Sequence, residues 1–395
     1  MSDDINDIEL VRQLLSDNPS EDLLDQIAST VVNEMSDSFP ELTLNSKRLN
    51  VALSDFRKEK LGEVKSKRNY RTKIQYIETY LTEVVEAKTT DELTSEHVEQ
   101  YSEWRKYDSL EREDPLKDST LSDDMYLFEE FVEYLIEHRL VPQRFQMAVQ
   151  HPEINSGDGV DEKRLDPDVA KASLDHLRKY EYASVEHVTM ELFCESGPRK
   201  GGVFGLDVVD FDADQGVLKF DQLGQQSTPL KKGEESEREI TLYGDTVDII
   251  QDYIANVRPP ATDSEGRKPL LTKGDGRIGK STLQKISYKW TRPCKVGLDC
   301  PHDRDPEQCD AAQRNNSAYK CPSSRAPHHI RTGYITDQRN QGTSAKAIEH
   351  RCDVSPRVQK KHYDLPDSDE KRERFVDEFR DSHDDQEELE SGFSH

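Results

Sequence analysis

The sequence predicts a mainly α chain with a small antiparallel β-sheet, laid out as an all-helical domain followed by an α+β domain. Three observations carry this expectation. Apolar residues recur at helical spacing through 64–152, as in KRNYRTKIQYIETYLTEVV and MYLFEEFVEYLIEHRL. A Gly- and Asp-rich stretch, INSGDGVDEKRLDPD, has turn residues and no periodicity, and marks a linker at 153–168. Beyond it, strand-like runs appear at 203–211, 216–220 and 238–242, between helical segments at 183–196, 245–258 and 280–290.

Taken in order, residues 1–63 read as an acidic helical N-terminal extension, with apolar spacing in Ile8, Val11, Leu14 and Leu15 and again in Leu23, Leu24, Ile27 and Val31. The helix that follows is basic on its polar side at its start, through Lys67, Arg68, Arg71 and Lys73, which suits contacts to phosphates. Thr94 or Ser95 caps a second helix, and a third covers 125–140. The α+β domain spans 169–365 and contains a Cys-rich insertion at 291–324. Residues 366–395 form an acidic tail with a short helix-like stretch, KRERFVDEFR, and the tail as a whole reads as disordered or as docking on a neighbour.

Hydrophobic residues (33%) and charged residues (34%) are nearly balanced, which is polar for a globular chain but leaves regular periodicity in most segments, so folding is expected. No run approaches the ~18 apolar residues of a membrane span, and MSDDINDIEL lacks the basic-then-apolar order of a signal peptide. The expectation is a soluble, cytoplasmic protein without a membrane partner.

Asp and Glu number 80 against 54 Lys and Arg, a formal charge of -26 and the wrong sign for simple nucleic-acid binding. Two readings answer this. A strongly acidic, hydrated surface suits a halophilic cell, where molar salt screens self-repulsion over about 3 Å. Locally, the span Asp310 to Tyr363 holds ten Lys and Arg against four acids, a basic island in an acidic chain.

That island carries the chemistry. In PHHIRTG, residues 327–333, His328 and Arg331 stand three apart, so on a helix they face one side. Arg331 can clamp a phosphate with its planar fork, and His328 can exchange protons near neutral pH. Thirty-two positions beyond Arg331, SPRVQKKHYD presents Tyr363 beside Lys360 and Lys361. Moving a phosphodiester without metal or nucleotide needs a nucleophile, cations on the non-bridging oxygens, a base and an acid.

These boxes resemble the tyrosine-recombinase (phage-integrase) family, in a halophilic archaeal form. The resemblance covers about 170–365 well and 64–152 only by type and position. It implies a helical core-binding domain and an α+β catalytic domain forming a C-shaped clamp on double-stranded DNA. It implies that Tyr363 forms a 3′-phosphotyrosyl link, and that Arg199 of Gly197-Pro-Arg199 is the family's first arginine. It further implies a hairpin lysine as general acid, here Lys232 in LKKGEESEREITL in preference to Lys231. Two departures stand out. The acidic residue usual soon after the first arginine is replaced by Gly201 or Gly202. The His or Trp usual nine or ten residues before the tyrosine falls on Val354 or Asp353, leaving His350 as the nearest candidate.

The implied activity is site-specific recombination or integration, by a homo-tetramer on paired DNA sites, with no cofactor needed for catalysis. The alternatives are a type IB topoisomerase-like enzyme and a non-catalytic, zinc-stabilised DNA-binding regulator. Zinc enters through Cys294, Cys300, Cys309 and Cys321, clustered with His302 in a Pro-, Asp- and Asn-rich insertion. Clustered thiolates in an intracellular protein favour a metal over disulfides, and a structural zinc takes four such ligands. Neither Cys194 nor Cys352 receives a role.

Overall fold

The computed structural model describes residues 44–374 and 376, apart from 65–66, 110–113, 156–158, 222–227 and 229. The helical spacing read at residues 8–31 and the last part of the acidic tail lie outside the described residues. The chain divides into two compact units between Gly159 and Val160.

The first unit contains α1 (Leu49–Glu63), α2 (Lys67–Thr79), α3 (Ser95–Tyr107) and α4 (Asp118–Glu137). In α4, Leu121, Met125, Phe128, Val132 and Leu135 recur at three and four residues, and all are buried. Thr94 caps α3 by accepting from the His97 N–H, while the His97 ring accepts from the Thr94 N–H. The Tyr101 and Phe128 rings stack with centroids 3.9 Å apart, joining α3 to α4.

Two sequence expectations are corrected here. Leu49, Ala52, Leu53 and Phe56 of α1 are buried in the same core, so the helical unit begins before residue 64 and takes in part of the presumed extension. Their spacing of three, one and three residues is a core stripe on an otherwise highly charged helix. Lys73 is not presented for phosphate: its ammonium donates to the Asp123 carbonyl (2.7 Å) and pairs with Asp124 (3.2 Å). Asp124 also holds the buried Arg105 at 2.7 Å, so Lys73 completes an internal charge network. Lys67, Arg68 and Arg71 are exposed, and no ion pair among the described residues engages them.

The second unit contains α5 (Pro167–Tyr180), α6 (Val185–Ser196), α7 (Lys200–Gly205) and a three-stranded antiparallel sheet of β1 (Phe211–Asp212), β2 (Val217–Phe220) and β3 (Arg238–Thr241). Next come α8 (Thr246–Asp252), the short hairpin β4 (Thr272–Lys273) and β5 (Gly276–Arg277), α9 (Lys280–Trp290) and α10 (Asp310–Gln313). The chain then forms α11 (Pro327–Asn340), α12 (Ala345–Cys352) and α13 (Pro356–His362). Helix α6 runs through the core with Val188, Met190, Leu192 and Phe193 fully buried. Sheet register pairs Leu218 with Ile240 and Phe220 with Arg238. The fold is thus mainly α with small antiparallel sheets, as the sequence predicts.

The run 203–211 is not a strand for most of its length. Val203 and Leu206 are both buried at a spacing of three, so 200–205 coils as α7, and only Phe211–Asp212 pairs with β2. Core burial overrides the local β-propensity of valine and phenylalanine. The first part of the tail is also ordered on its own chain. Arg164 pairs with Glu370 at 2.5 Å, and Arg374 bonds Asn340 (2.6 Å) and Asp364 (2.8 Å).

A strap at 161–165 crosses α11, where the Leu165 N–H donates to the His329 carbonyl at 2.9 Å and the His329 ring bonds Asp161 at 2.8 Å. Gly333 makes this crossing possible, since a Cβ there would collide with the Leu165 carbonyl. Gly333→Ala should therefore destabilise the protein by about 1–3 kcal/mol, the usual cost of overpacking. Urea unfolding measures it, and an unchanged midpoint would contradict the close crossing. No helix among the described residues is long and apolar enough to cross a membrane.

Candidate active site

Three chain reversals assemble the site. Helix α6 ends at Gly197 in the left-handed region (φ 52°), where a side chain would strike the Tyr334 ring, and this turn sends Pro198 and Arg199 back toward α11. Helix α11 starts with Pro327 at its first position, where no N–H is needed, and so sets His328 and Arg331 on one face. Helix α12 ends at Asp353, also left-handed (φ 53°), and α13 follows to deliver Tyr363 at its C-terminal end.

Arg331 is almost fully buried, and its Nη1 donates to the carbonyls of Gly197 (2.9 Å) and Cys352 (2.5 Å). One guanidinium thereby ties the α6 turn to the α12 turn. The Arg331 guanidinium lies 4.9 Å from the Tyr363 ring centroid and interacts with its hydroxyl. The His328 and Tyr363 rings stand 5.2 Å apart, centre to centre. Tyr363 packs with Ile335, Ile348, Cys352 and Val354, and Thr336 Oγ1 donates to its carbonyl at 2.7 Å. Buried Gln359 holds α13 against α12 by donating to the Ala345 (2.7 Å) and Val354 (2.8 Å) carbonyls.

Arg199, Lys200, Lys231, His328, Arg331 and Tyr363 line one cleft of about 400 Å³. Its walls are cationic. Burial, with Arg199 adding a like charge, makes the Arg331 guanidinium easier to deprotonate than an ordinary arginine. Burial and then the neighbouring His329 and Arg331 lower the His328 pKa, favouring a neutral ring. Burial and then Lys280 lower the pKa of Lys200, which donates to Gln284 at 2.7 Å. A cleft of this kind suits an anion that relieves repulsion between its own walls.

Four of the six expected catalytic positions thus fall together: Arg199, His328, Arg331 and Tyr363. His350 does not join them; it is exposed on α12 and does not line the cleft. Val354 is a buried hydrophobe in the same small cluster as Tyr363. On the segment linking β2 and β3, Lys231 lines the cleft, whereas Lys232 is half exposed with its ammonium 3.8 Å from Asp353. Sequence reasoning missed Asp353, which pairs with Arg199 and accepts from buried Ser236 at 2.8 Å. Two signals were available: the absent acidic residue after Arg199, and the place of Asp353 ten residues before Tyr363.

The four clustered cysteines line a single small cleft together with His302 and the buried Arg292, and none forms a disulfide. Among the described residues no three His, Cys, Asp or Glu side chains stand close enough to share an ion. The four thiols and the imidazole that share this cleft are the donor types that zinc takes.

The class these features define is that of an integrase-type fold, a helical unit joined to a mainly α unit with a small sheet. Among solved structures the chain is similar to a lambda integrase dimer bound to a COC′ core site, with 14% identity over 93% of this chain and 84% of that one and a TM-score of 0.52. It is also similar to the Tn1549 transposon integrase in complex with a circular intermediate DNA, with 14% identity over 81% and 98% and a TM-score of 0.54. A lambda integrase tetramer bound to a Holliday junction gives 14% identity over 87% and 84% with a TM-score of 0.52. No model of a known protein family matches the sequence. No curated protein matches it.

Proposed function

We propose that this chain is a site-specific DNA recombinase or integrase of the tyrosine-recombinase family, cutting and rejoining duplex DNA through a 3′-phosphotyrosyl intermediate. The observation that carries the reading is the meeting of Tyr363, His328, Arg331 and Arg199 in one cationic cleft, from segments up to 164 residues apart. A DNA phosphate sits between the two guanidiniums, which neutralise the charge that grows on its non-bridging oxygens. The Tyr363 oxygen attacks phosphorus as neutral His328 takes the phenol proton. The P–O5′ bond breaks, and Lys231, by its place in the cleft, protonates the departing 5′-oxygen. Attack by a 5′-hydroxyl of the partner strand reverses these steps and frees the tyrosine. The phosphotyrosine conserves the bond, so no nucleotide is consumed.

The partners are double-stranded DNA and further copies of the chain, a homo-tetramer on paired sites. Exposed Lys67, Arg68 and Arg71 supply phosphate contacts from the helical unit. The test is to incubate the protein with nicked suicide duplexes of randomised sequence in molar potassium chloride, the medium its acidic composition points to. A detergent-resistant adduct that maps to the Tyr363 peptide supports the reading. Its absence, with the protein folded and bound to DNA, favours a non-catalytic DNA-binding regulator.

We also propose a structural zinc held by Cys294, Cys300, Cys309 and Cys321, with His302 as a substitute ligand. The insertion 291–324 buries few hydrophobic residues, Val296, Ala311 and Ala318, too little to order so long a segment by itself. Zinc would supply folding energy there, with no part in the chemistry. Purified protein should carry about one zinc per chain, and chelation should lower the thermal midpoint while a Cys300→Ser, Cys309→Ser double variant loses the metal. Metal-free protein that takes up no zinc and melts unchanged in chelator would exclude the site.

A further inference from the structure

We propose that Asp353 is the positioning carboxylate of this active site, doing from the end of α12 what an acidic residue following Arg199 would otherwise do; this rests on the recombinase reading above. The segment after Arg199 offers only Lys200 and glycines, so nothing local can hold that guanidinium. Asp353, 154 residues further along, meets it instead. Its Oδ2 accepts from Arg199 Nη1 and from Ser236 Oγ (2.8 Å), and its Oδ1 stands 3.8 Å from the Lys232 ammonium. Ser236 is itself buried and accepts from the Lys232 N–H at 3.3 Å, so the lysine-bearing segment is anchored to the same carboxylate.

The backbone of this turn grips the second arginine. The Cys352 carbonyl accepts from Arg331 at 2.5 Å, while the side chain of the next residue takes Arg199. Two adjacent residues thus set the separation of both guanidiniums, and ten positions later the same segment ends at Tyr363. Asp353 sits in the left-handed region, φ 53° and ψ 61°, at the end of α12, a turn that aspartate tolerates better than most residues. The turn points its carboxylate inward, and the side chain is only 10% exposed. Arg199 carries five N–H donors, and the pair with Asp353 engages Nη1, so the arginine can be oriented by the carboxylate and still bind phosphate. Asp353 is therefore a positioning residue that acts through Arg199, not a group that touches the reacting atoms.

Asp353→Gly is the informative variant, because glycine accepts the left-handed turn and removes only the carboxylate. With the full-length protein, the single-turnover rate of adduct formation would be measured on saturating nicked suicide duplex, beside duplex affinity and the thermal midpoint. The rate should fall about 10²-fold, the scale of a misplaced reacting group, with affinity equal to or tighter than the parent's. In an Arg199→Ala background the same substitution should change the rate little, since its route of action is already gone. Asp353→Asn should recover part of the rate, as its amide oxygen still accepts. Parent-like cleavage by Asp353→Gly, faster cleavage, or a full additional loss in the Arg199→Ala background would each overturn the proposal. If the parent itself forms no adduct, the recombinase reading fails and takes this proposal with it; an active parent with an equally active Asp353→Gly variant sinks the proposal alone.

Discussion

Tyr363→Phe should abolish covalent attachment to nicked duplex DNA, lowering it by at least about 10³-fold, while the fold and duplex affinity persist. The ring is buried against Ile335, Ile348, Cys352 and Val354, and phenylalanine keeps all of that packing. Only the hydroxyl is lost, together with its interaction with Arg331. The thermal midpoint should therefore move little, on the scale of one hydrogen bond, about 1 kcal/mol. Adduct trapping, gel-shift affinity and melting, run on one preparation, separate these effects. Retained adduct formation would mean that another residue is the nucleophile.

Arg331 should show the other large effect, and of a different kind, because it serves the fold as well as the chemistry. Arg331→Ala strands the Gly197 and Cys352 carbonyls in a buried place, at about 1–3 kcal/mol each, and also removes a phosphate clamp. Expected results are a clearly lower urea midpoint together with loss of cleavage. Arg331→Lys keeps a cation and some donors to those carbonyls, so it should fold nearly as well, yet cleave about 10²–10³-fold more slowly, as for loss of one preorganised donor. A stable Arg331→Ala protein would contradict the burial and bonding seen at this position. Parent-like cleavage by Arg331→Lys would remove the bidentate clamp from the mechanism.

Much of this was legible in order along the chain because it depends on neighbours within one or two turns. Helical periodicity, the Thr94 cap, the His328 and Arg331 pair at one-turn spacing, and the density of cysteines before it are all local patterns. The mainly α class with its small sheet followed from them. So did the expectation that Tyr363 and Arg331 act together, although only by resemblance.

What the tertiary structure alone decided were partnerships between distant charges. Lys73 looked like a phosphate ligand because its helix face is polar, but a polar face does not say whether Asp124 will come to lie against it. His350 was the nearest candidate for the family's His or Trp position, yet the turn of α12 leaves it exposed and brings Asp353 inward. The stripe of α1 went unread because four apolar residues on a highly charged helix acquire meaning only once a core covers them. Periodicity specifies which face of an element leaves water, and it is silent on what covers that face. A salt bridge over 154 residues is set by packing, and no spacing in the chain announces it.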